Sequence, residues 1–474
     1  MTVPLTGAAQ SLTTVGQVAN LQPVANRLAR AKEEGSRTQL FTHTLTVGVL
    51  TSAAKLAGAG KTIFMARFFG AGDELDAFLI AFLLPSFVAD LIGASLTGAL
   101  VPQLVRAREA EGPTGGRELA DSALSSAATI MLIITGALAA SSHWLMPFAA
   151  GGFPEEKLRL TTVLFLGLLC WLPMSACSAV WRAVLNAHGL FALPAIAPIA
   201  SPFMCIACLY AFTRRSGVGV LCIGTVAGVA LECFALAIAA SRLGYPVVPH
   251  WRKWRNPAMA GIARQYLPLL ASSGLSSACV LIDQSIAGRL GPGQVSAFVY
   301  GTRLTTVMLQ VIAMPIGVTI LPVLSHLASA RDWARVRATV LICGAASAAI
   351  AFLLAAGCIR GSEALIRVLF ERGAFHHDSA RLVAHVQRFS LLQLPFALLL
   401  AIGARLASAI SANALLARIG VLALISGVVL DLVFSRYLGV AGIALATVFV
   451  QIVSLVGLTV LLYRREPKLF MEPR

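Results

Sequence analysis

Residues 69–78 read FGAGDELDAF and residues 290–298 read LGPGQVSAF. Each is a Gly-x-Gly turn that leads within a few residues to Ala-Phe at the head of a long apolar run. The two lie about 221 residues apart. Three further pairs recur near that spacing: Val101-Pro102-Gln103-Leu104 with Leu321-Pro322-Val323-Leu324, FAAGGF (148–153) with FERGAF (370–375), and Leu172-Pro173 with Leu394-Pro395. Glycine and proline are common in membrane-spanning helices, so one match says little. Four in the same order at one offset indicate an internal duplication.

The composition sets the solvent in which this duplication folds. The 474 residues are 58% hydrophobic and 12% charged, with mean hydropathy +0.82. A soluble domain is about a quarter charged and less than half apolar, so a soluble enzyme, a disordered chain and a disulfide scaffold are excluded. Apolar stretches of about 20 residues, enough to cross a bilayer, occur near 42–64, 76–100, 122–148, 160–183, 190–212, 217–241, 263–286, 298–324, 338–359, 387–410, 414–435 and 438–463. The reading is an all-α polytopic membrane protein with about twelve transmembrane helices in two parallel six-helix repeats. An even number of spans per repeat preserves topology, and parallel repeats place a substrate cavity between the halves.

The expected organisation is a cytoplasmic N-terminal tail (1–41), a first six-helix bundle (42–243), a cytoplasmic linker (244–262), a second bundle (263–463) and a cytoplasmic tail (464–474). The leader carries Arg27, Arg30, Lys32 and Arg37 without the short apolar core of a signal peptide. The net charge of +16 fits the enrichment of Lys and Arg in cytoplasmic loops. Placing both termini inside puts the larger share of the basic residues there, with Arg214-Arg215 a local exception. No basic run is interleaved with aromatics, so nucleic acid is not an expected partner. Seven of the nine cysteines are spread singly or loosely, and Cys205-x-x-Cys208 has no second pair nearby; they read as small apolar packing residues.

Charges within spans are costly and mark functional sites. Lys55 and Lys61 lie in the first span, about 9 Å apart along a helix and roughly 120° apart around it. They can border one wide cavity without gripping the same oxygen. Arg303 opens the eighth span, and its guanidinium suits a phosphate. The three together predict an anionic substrate, against the simpler reading of lysines that snorkel to an interface. Asp90, Glu232, Asp283 and Asp431 are the intramembrane acids. Asp283 is read either as an ion or proton site or as a partner of Arg303; Glu232 and Asp431 either as coupling-ion ligands or as helix–helix contacts. Asp73, Glu74 and Asp76 cluster at the mouth of the first two spans, where a solvated loop or an N-cap by Asp76 is expected. His376-His377-Asp378 reads as a solvated turn rather than a metal site, and no metal ligand set is expected. No nucleotide-binding loop, G-x-S-x-G or zinc-protease spacing is present, so the chain reads as a transporter and not an enzyme.

The stretch Ala66–Phe87, ARFFGAGDELDAFLIAFLLPSF, resembles the signature that follows the first helix of the MurJ/MviN-type lipid II flippases of the multidrug/oligosaccharidyl-lipid/polysaccharide (MOP) exporter superfamily. The likeness continues through LVPQL, AVLNAHGLFALPAIAPI (183–199), YGTRL with MPIGVTILPVLS (300–325) and LFERGAF. It implies the MOP flippase fold and translocation of an undecaprenyl-pyrophosphate-linked glycan across the bacterial inner membrane by alternating access. The glycan would be a lipid II-like peptidoglycan precursor or a polysaccharide repeat unit. The implied substrate-binding residues are Lys55, Lys61 and Arg303, and the implied gate acid is Asp76. Asp283, Glu232 and Asp431 remain candidates for coupling to a monovalent cation or proton, and no other cofactor is expected. The implied partners are the lipid-linked saccharide and membrane lipid; oligomeric state is not read from the sequence. Two of the family's arginines are lysines here, Ala89-Asp90 replaces an arginine pair, and two further C-terminal helices of the lipid II members are absent from the twelve expected. The alternative is an ion-coupled multidrug or small-molecule antiporter of the same superfamily, which would favour acidic, aromatic cavities over this basic triad.

Overall fold

Glycine and proline decide where this apolar chain turns. The computed structural model describes residues 46–250, 274–275 and 277–470. The N-terminal tail, most of the 244–262 linker, the start of the seventh span and the last four residues lie outside the described residues, as do the side chains of Arg214 and Arg215. The contacts below all lie within residues 52–474, which pack as one unit. Among the described residues the regular structure is helical.

The first helix, α1, covers 46–69 and stops at Gly70, whose φ of +62° favours glycine. A Cβ there would strike the Ala374 carbonyl, so the turn needs glycine for both conformation and room. Next comes α2, Asp73–Ala140. Its 68 residues would reach about 100 Å as one rod, over three times the hydrocarbon thickness. Gly112, with φ 69° and ψ −164°, breaks it into two legs just before Pro113. Then follow α3 (Ser142–Ala149), α4 (Glu155–Leu169), α5 (Trp171–Ala187), α6 (Ala192–Ile196), a 3-10 turn (Ala197–Ile199), α7 (Ala200–Ser216) and α8 (Gly219–Arg242).

The second half repeats the plan. It contains α9 (277–288), α10 (Gln294–Ser329), α11 (Trp333–Arg360), α12 (Ser362–Phe370), α13 (His377–Leu391), α14 (Leu394–Ala409), α15 (Asn413–Leu438) and α16 (Val440–Arg465). Short helices α3 and α12 occupy equivalent places. The breaks at Cys170 and at Leu392-Gln393 each precede a Leu-Pro pair, because proline lacks the N–H that would continue the helix. The α13–α14 break bends the chain by 40°. Among the described residues, eight helices are long and apolar enough to cross a membrane, or nine with α13–α14 taken as one bent span, and α2 counts once among them although it has two legs. The expected third span, 122–148, ends instead at Ala140, and its last residues form α3.

The packing is that of a protein in lipid. On α11, Phe352 (65% exposed) and Leu353 (71%) face outward while Gly344, Ser347, Ala351 and Ala355 form the buried stripe. Hydrocarbon gives no reward for burying large apolar side chains, so small residues mediate close helix contact. The same rule joins α7 to α8: a Cβ on Gly224 would lie 2.7 Å from the Cys205 Cα, and one on Gly228 would collide with the Ser201 Cα. One apolar cluster centres on the first half, around Phe78, Phe165, Leu168 and Leu172, and extends into the second half at Tyr300, Phe370, Phe375 and Val383. Two belong to the second, around Ile402 and Leu458 and around Leu391 and Leu398. A further cluster joins Ile80, Leu83, Ala149 and Ala150 of the first half to Ile286, Val295, Phe298 and Val386 of the second. Residues 243–250, which lead into the linker, are tied to the first half: Trp181 Nε1 donates to the Pro246 carbonyl (3.2 Å) and His250 Nδ1 lies 2.9 Å from Asp121 Oδ1. Burial pushes the Tyr245 phenol up, opposed by the charges of Arg108 and Arg117.

Gly228→Val should wedge α7 from α8 and cost about 1–3 kcal/mol, the range for overpacking a close contact. Thermal unfolding of the purified protein in detergent checks this, with an expected fall in Tm; Gly136→Ala, at a glycine with open space around it, should leave Tm unchanged.

Candidate functional site

The two stretches that reveal the duplication meet face to face. At this end of the bundle, called the closed end below, α2 and α10 both begin. Asp76, fully buried, accepts from the Gly293 N–H at 2.7 Å and from the Ser296 N–H at 2.8 Å. These are orphan donors in the first turn of α10, so a carboxylate of the first half caps a helix of the second. Asp76 therefore does not cap α2: its starting residue Gly72 offers no side chain, and the carboxylate sits inside the first turn, where it points away from the N–H groups of its own helix. Nor is the acidic cluster a solvated loop, because only Asp73 and Glu74 are exposed.

Further contacts close the same end. The Tyr300 hydroxyl donates to the Gly70 carbonyl (3.1 Å), and the Ala374 N–H donates to the Arg67 carbonyl (2.9 Å). Tyr300, Phe370 and Phe375 stack at ring-centroid separations of 5.3–5.9 Å. The hydrogen bonds that Asp76, Tyr300 and Ala374 make across the two halves all lie at this end. A hydrogen bond to a charged group contributes about 1.5–3 kcal/mol, so Asp76 dominates the set. Sequence reasoning missed Lys157, whose ammonium reaches Asp73 at 2.5 Å and Asp76 at 3.4 Å. Its position in a Glu-Glu-Lys helix start resembles any solvated first turn; the signal was its place directly after FAAGGF, beside the duplicated turn.

Deeper between the halves, Arg303 of α10 crosses to α1. A Cβ on Gly58 would lie 3.0 Å from its guanidinium. Gly58 is three residues from Lys55 and three from Lys61, so the guanidinium lands midway between the two lysines along the helix. Among the described residues Arg303 forms no ion pair, and its buried Nε has no hydrogen-bond partner. Lys55 is exposed and within electrostatic reach of Asp90 on α2. Lys61 is turned instead to the Phe82 ring, 5.9 Å from its centroid. The structure therefore sets the Arg303 guanidinium against α1 between the two lysines, with Lys55 near Asp90 and Lys61 near Phe82.

The remaining intramembrane acids are paired. Asp283 on α9 lies beside Asp431 on α15, and among the described residues no ion pair joins Asp283 to Arg303. Arg303 leaves the α9–α10 corner towards α1, whereas Asp283 faces α15. Two carboxyl groups in contact require a shared proton or a cation between them. Glu232 on α8 lies 3.6 Å from Arg182 on α5. In the turn after Phe375, His377 Nδ1 is 3.2 Å from Glu371 Oε1, and Arg367 holds Glu363 below the usual carboxylate range by hydrogen bond and charge.

This geometry has relatives. Residues 65–472 match the family described as lipid II flippase MurJ. A probable lipid II flippase MurJ of Rhizobium meliloti is 28% identical over 378 residues, covering 74% of this chain and 67% of the relative. One from Vibrio cholerae is 25% identical, covering 85% and 78%. A solved lipid II flippase MurJ in an inward closed conformation superposes with a TM-score of 0.73 at 20% identity, covering 90% of this chain and 89% of the other. An inward-facing multidrug resistance MATE transporter of the MOP superfamily gives 0.73 at 15% identity, covering 90% and 100%. These two likenesses establish the fold, and the match over residues 65–472 establishes more: the chain belongs to the MurJ family of lipid II flippases.

Proposed function

We propose that the chain flips an undecaprenyl-pyrophosphate-linked saccharide, lipid II or a closely related lipid-linked glycan, across the bacterial inner membrane. The observation that carries this reading is Arg303. A half-buried guanidinium with no ion-pair partner among the described residues, aimed at α1 between Lys55 and Lys61, suits an anion. Lys55 would add charge to the pyrophosphate from the facing helix, and Lys61 would meet it as the halves move. The first half (42–243) and the second (263–463) rock as two bundles, with both termini cytoplasmic, so that the closed end faces outward. Asp76 is then the outer gate: its bonds to Gly293 and Ser296 must break each time the cavity opens to that side.

The Asp283–Asp431 pair suits the coupling ion. It lies within the second half, buried, and its two carboxyl groups accept either a proton or a monovalent cation, a change of charge that can bias the packing of α9 on α15. Glu232 is already neutralised by Arg182, which favours a packing role for it. The multidrug antiporter alternative shares the fold with the MATE neighbour, but a cationic cavity disfavours organic cations and selects anions.

Two experiments follow from this assignment. Expressed in a bacterium depleted of its own lipid II flippase, the chain should restore growth. Arg303→Ala, inserted at the same level on a blot, should fail to do so, since losing one or two charge-assisted bonds of about 1.5–3 kcal/mol weakens transport roughly ten- to a hundredfold; growth with that variant would remove the assignment of Arg303. In proteoliposomes with imposed proton or sodium gradients, Asp283→Asn and Asp431→Asn should each abolish the gradient dependence of transport. Gradient-dependent transport by both variants would exclude the pair as the coupling site.

A further inference from the structure

The closed end carries a charge arrangement that the duplication does not explain. Aligning the halves places Asp76 opposite Ser296, the residue whose N–H it accepts 220 positions away. Aligning FPEEK (153–157) with FHHDS (375–379) places Lys157 opposite Ser379. Both members of the Asp76–Lys157 pair thus have neutral counterparts in the second half. The backbone part of the contact is shared by the two repeats, and the charge is a one-sided addition.

The allegiance of each partner matters. Lys157 stands in the first turn of α4 with its side chain 8% exposed. Its ammonium is held by Asp73 Oδ1 at 2.5 Å and covered by the Phe153 ring at 3.8 Å, and it faces Asp76 Oδ2 at 3.4 Å. All three partners belong to the first half. The two N–H donors to Asp76, from Gly293 and Ser296, belong to the second. When the closed end opens, Asp76 loses both second-half donors and keeps Lys157. A carboxylate buried against two neutral N–H groups alone carries an uncompensated charge, which is strongly unfavourable away from water.

We propose that Lys157 is a gate-positioning residue: fixed by Asp73 and Phe153, it holds the Asp76 carboxylate charged and aimed at the start of α10, and so sets the ratio of closed to open states at this end. The inference rests on the alternating-access reading above, and it requires no contact between Lys157 and the substrate. A lysine that merely stapled α4 to α2 would contribute stability to both states alike and leave their ratio unchanged.

Spin labels at His143→Cys on α3 and Val368→Cys on α12, both exposed and in equivalent short helices, report the separation of the halves. They are placed in a chain whose nine native cysteines have been replaced, and the distance distribution is measured in lipid without substrate. Lys157→Met should raise the population of the separated distance roughly tenfold over the parent, and Lys157→Arg should return it towards the parent ratio. Equal distributions in Lys157→Met and the parent overturn the proposal whatever the melting temperatures do, as does a Lys157→Arg chain no different from Lys157→Met. If Lys157→Met does not insert, Asp73→Asn takes its place. Releasing the ammonium from its anchor should shift the ratio in the same direction, and an unchanged ratio overturns the proposal. A parent chain locked at one distance in every condition contradicts alternating access itself, a result separate from a two-state parent that ignores Lys157.

Discussion

The structure depends on one buried charge. Asp76 lies where the two halves meet, without access to water, and it is tolerated because the first turn of α10 offers two unpaired N–H groups and α4 offers an ammonium. A contact of this kind is strong when the donors are in place and costly when they are not. Such a contact suits the gate of the alternating carrier proposed above, which must make and break it in turn. The apolar cluster of Ile80, Leu83, Val295 and Phe298 behind it adds shape and excludes water, while the charge gives the contact its direction.

Elsewhere the polarity of the molecule is arranged by the same solvent constraint. Large apolar side chains such as Phe352 and Leu353 lie on the outside because lipid accepts them, and small residues fill the helix contacts. Among the described residues, internal charges are paired within a half, as Glu232 with Arg182 and Asp283 with Asp431, or across the halves, as Asp76, while Arg303 Nε has no hydrogen-bond partner. In the proposed reading, the Arg303 guanidinium across from Gly58 is where the anionic group of the substrate would stand and supply a counter-charge.

Much of this was legible in residue order. The pairing of FGAGDELDAF with LGPGQVSAF identified the duplication and, as the structure shows, the surface on which the halves meet. Arg303 stood out because a guanidinium inside an apolar run has few structural uses. Partners were less legible. Asp283 and Asp431 are separated by most of the second half, and no local periodicity brings α9 beside α15; Glu232 looked solitary because Arg182 reads as a loop residue at the end of its span. The role of Asp76 was misjudged for a related reason. An acid four residues beyond a Gly-x-Gly turn suggests a cap for its own helix, and only the assembled halves reveal that the N–H groups it satisfies belong to another.

The central claim is that the cationic space between the halves carries a pyrophosphate-linked lipid from one leaflet to the other. It is tested most directly in proteoliposomes containing the purified chain and a fluorescent undecaprenyl-pyrophosphate saccharide, with a membrane-impermeant reagent added outside to score how much lipid becomes accessible. The account predicts that accessibility rises with time in vesicles containing the chain and that the rise is lost in the Arg303→Ala variant. Equal accessibility in protein-free vesicles, or in vesicles carrying the variant, would contradict it.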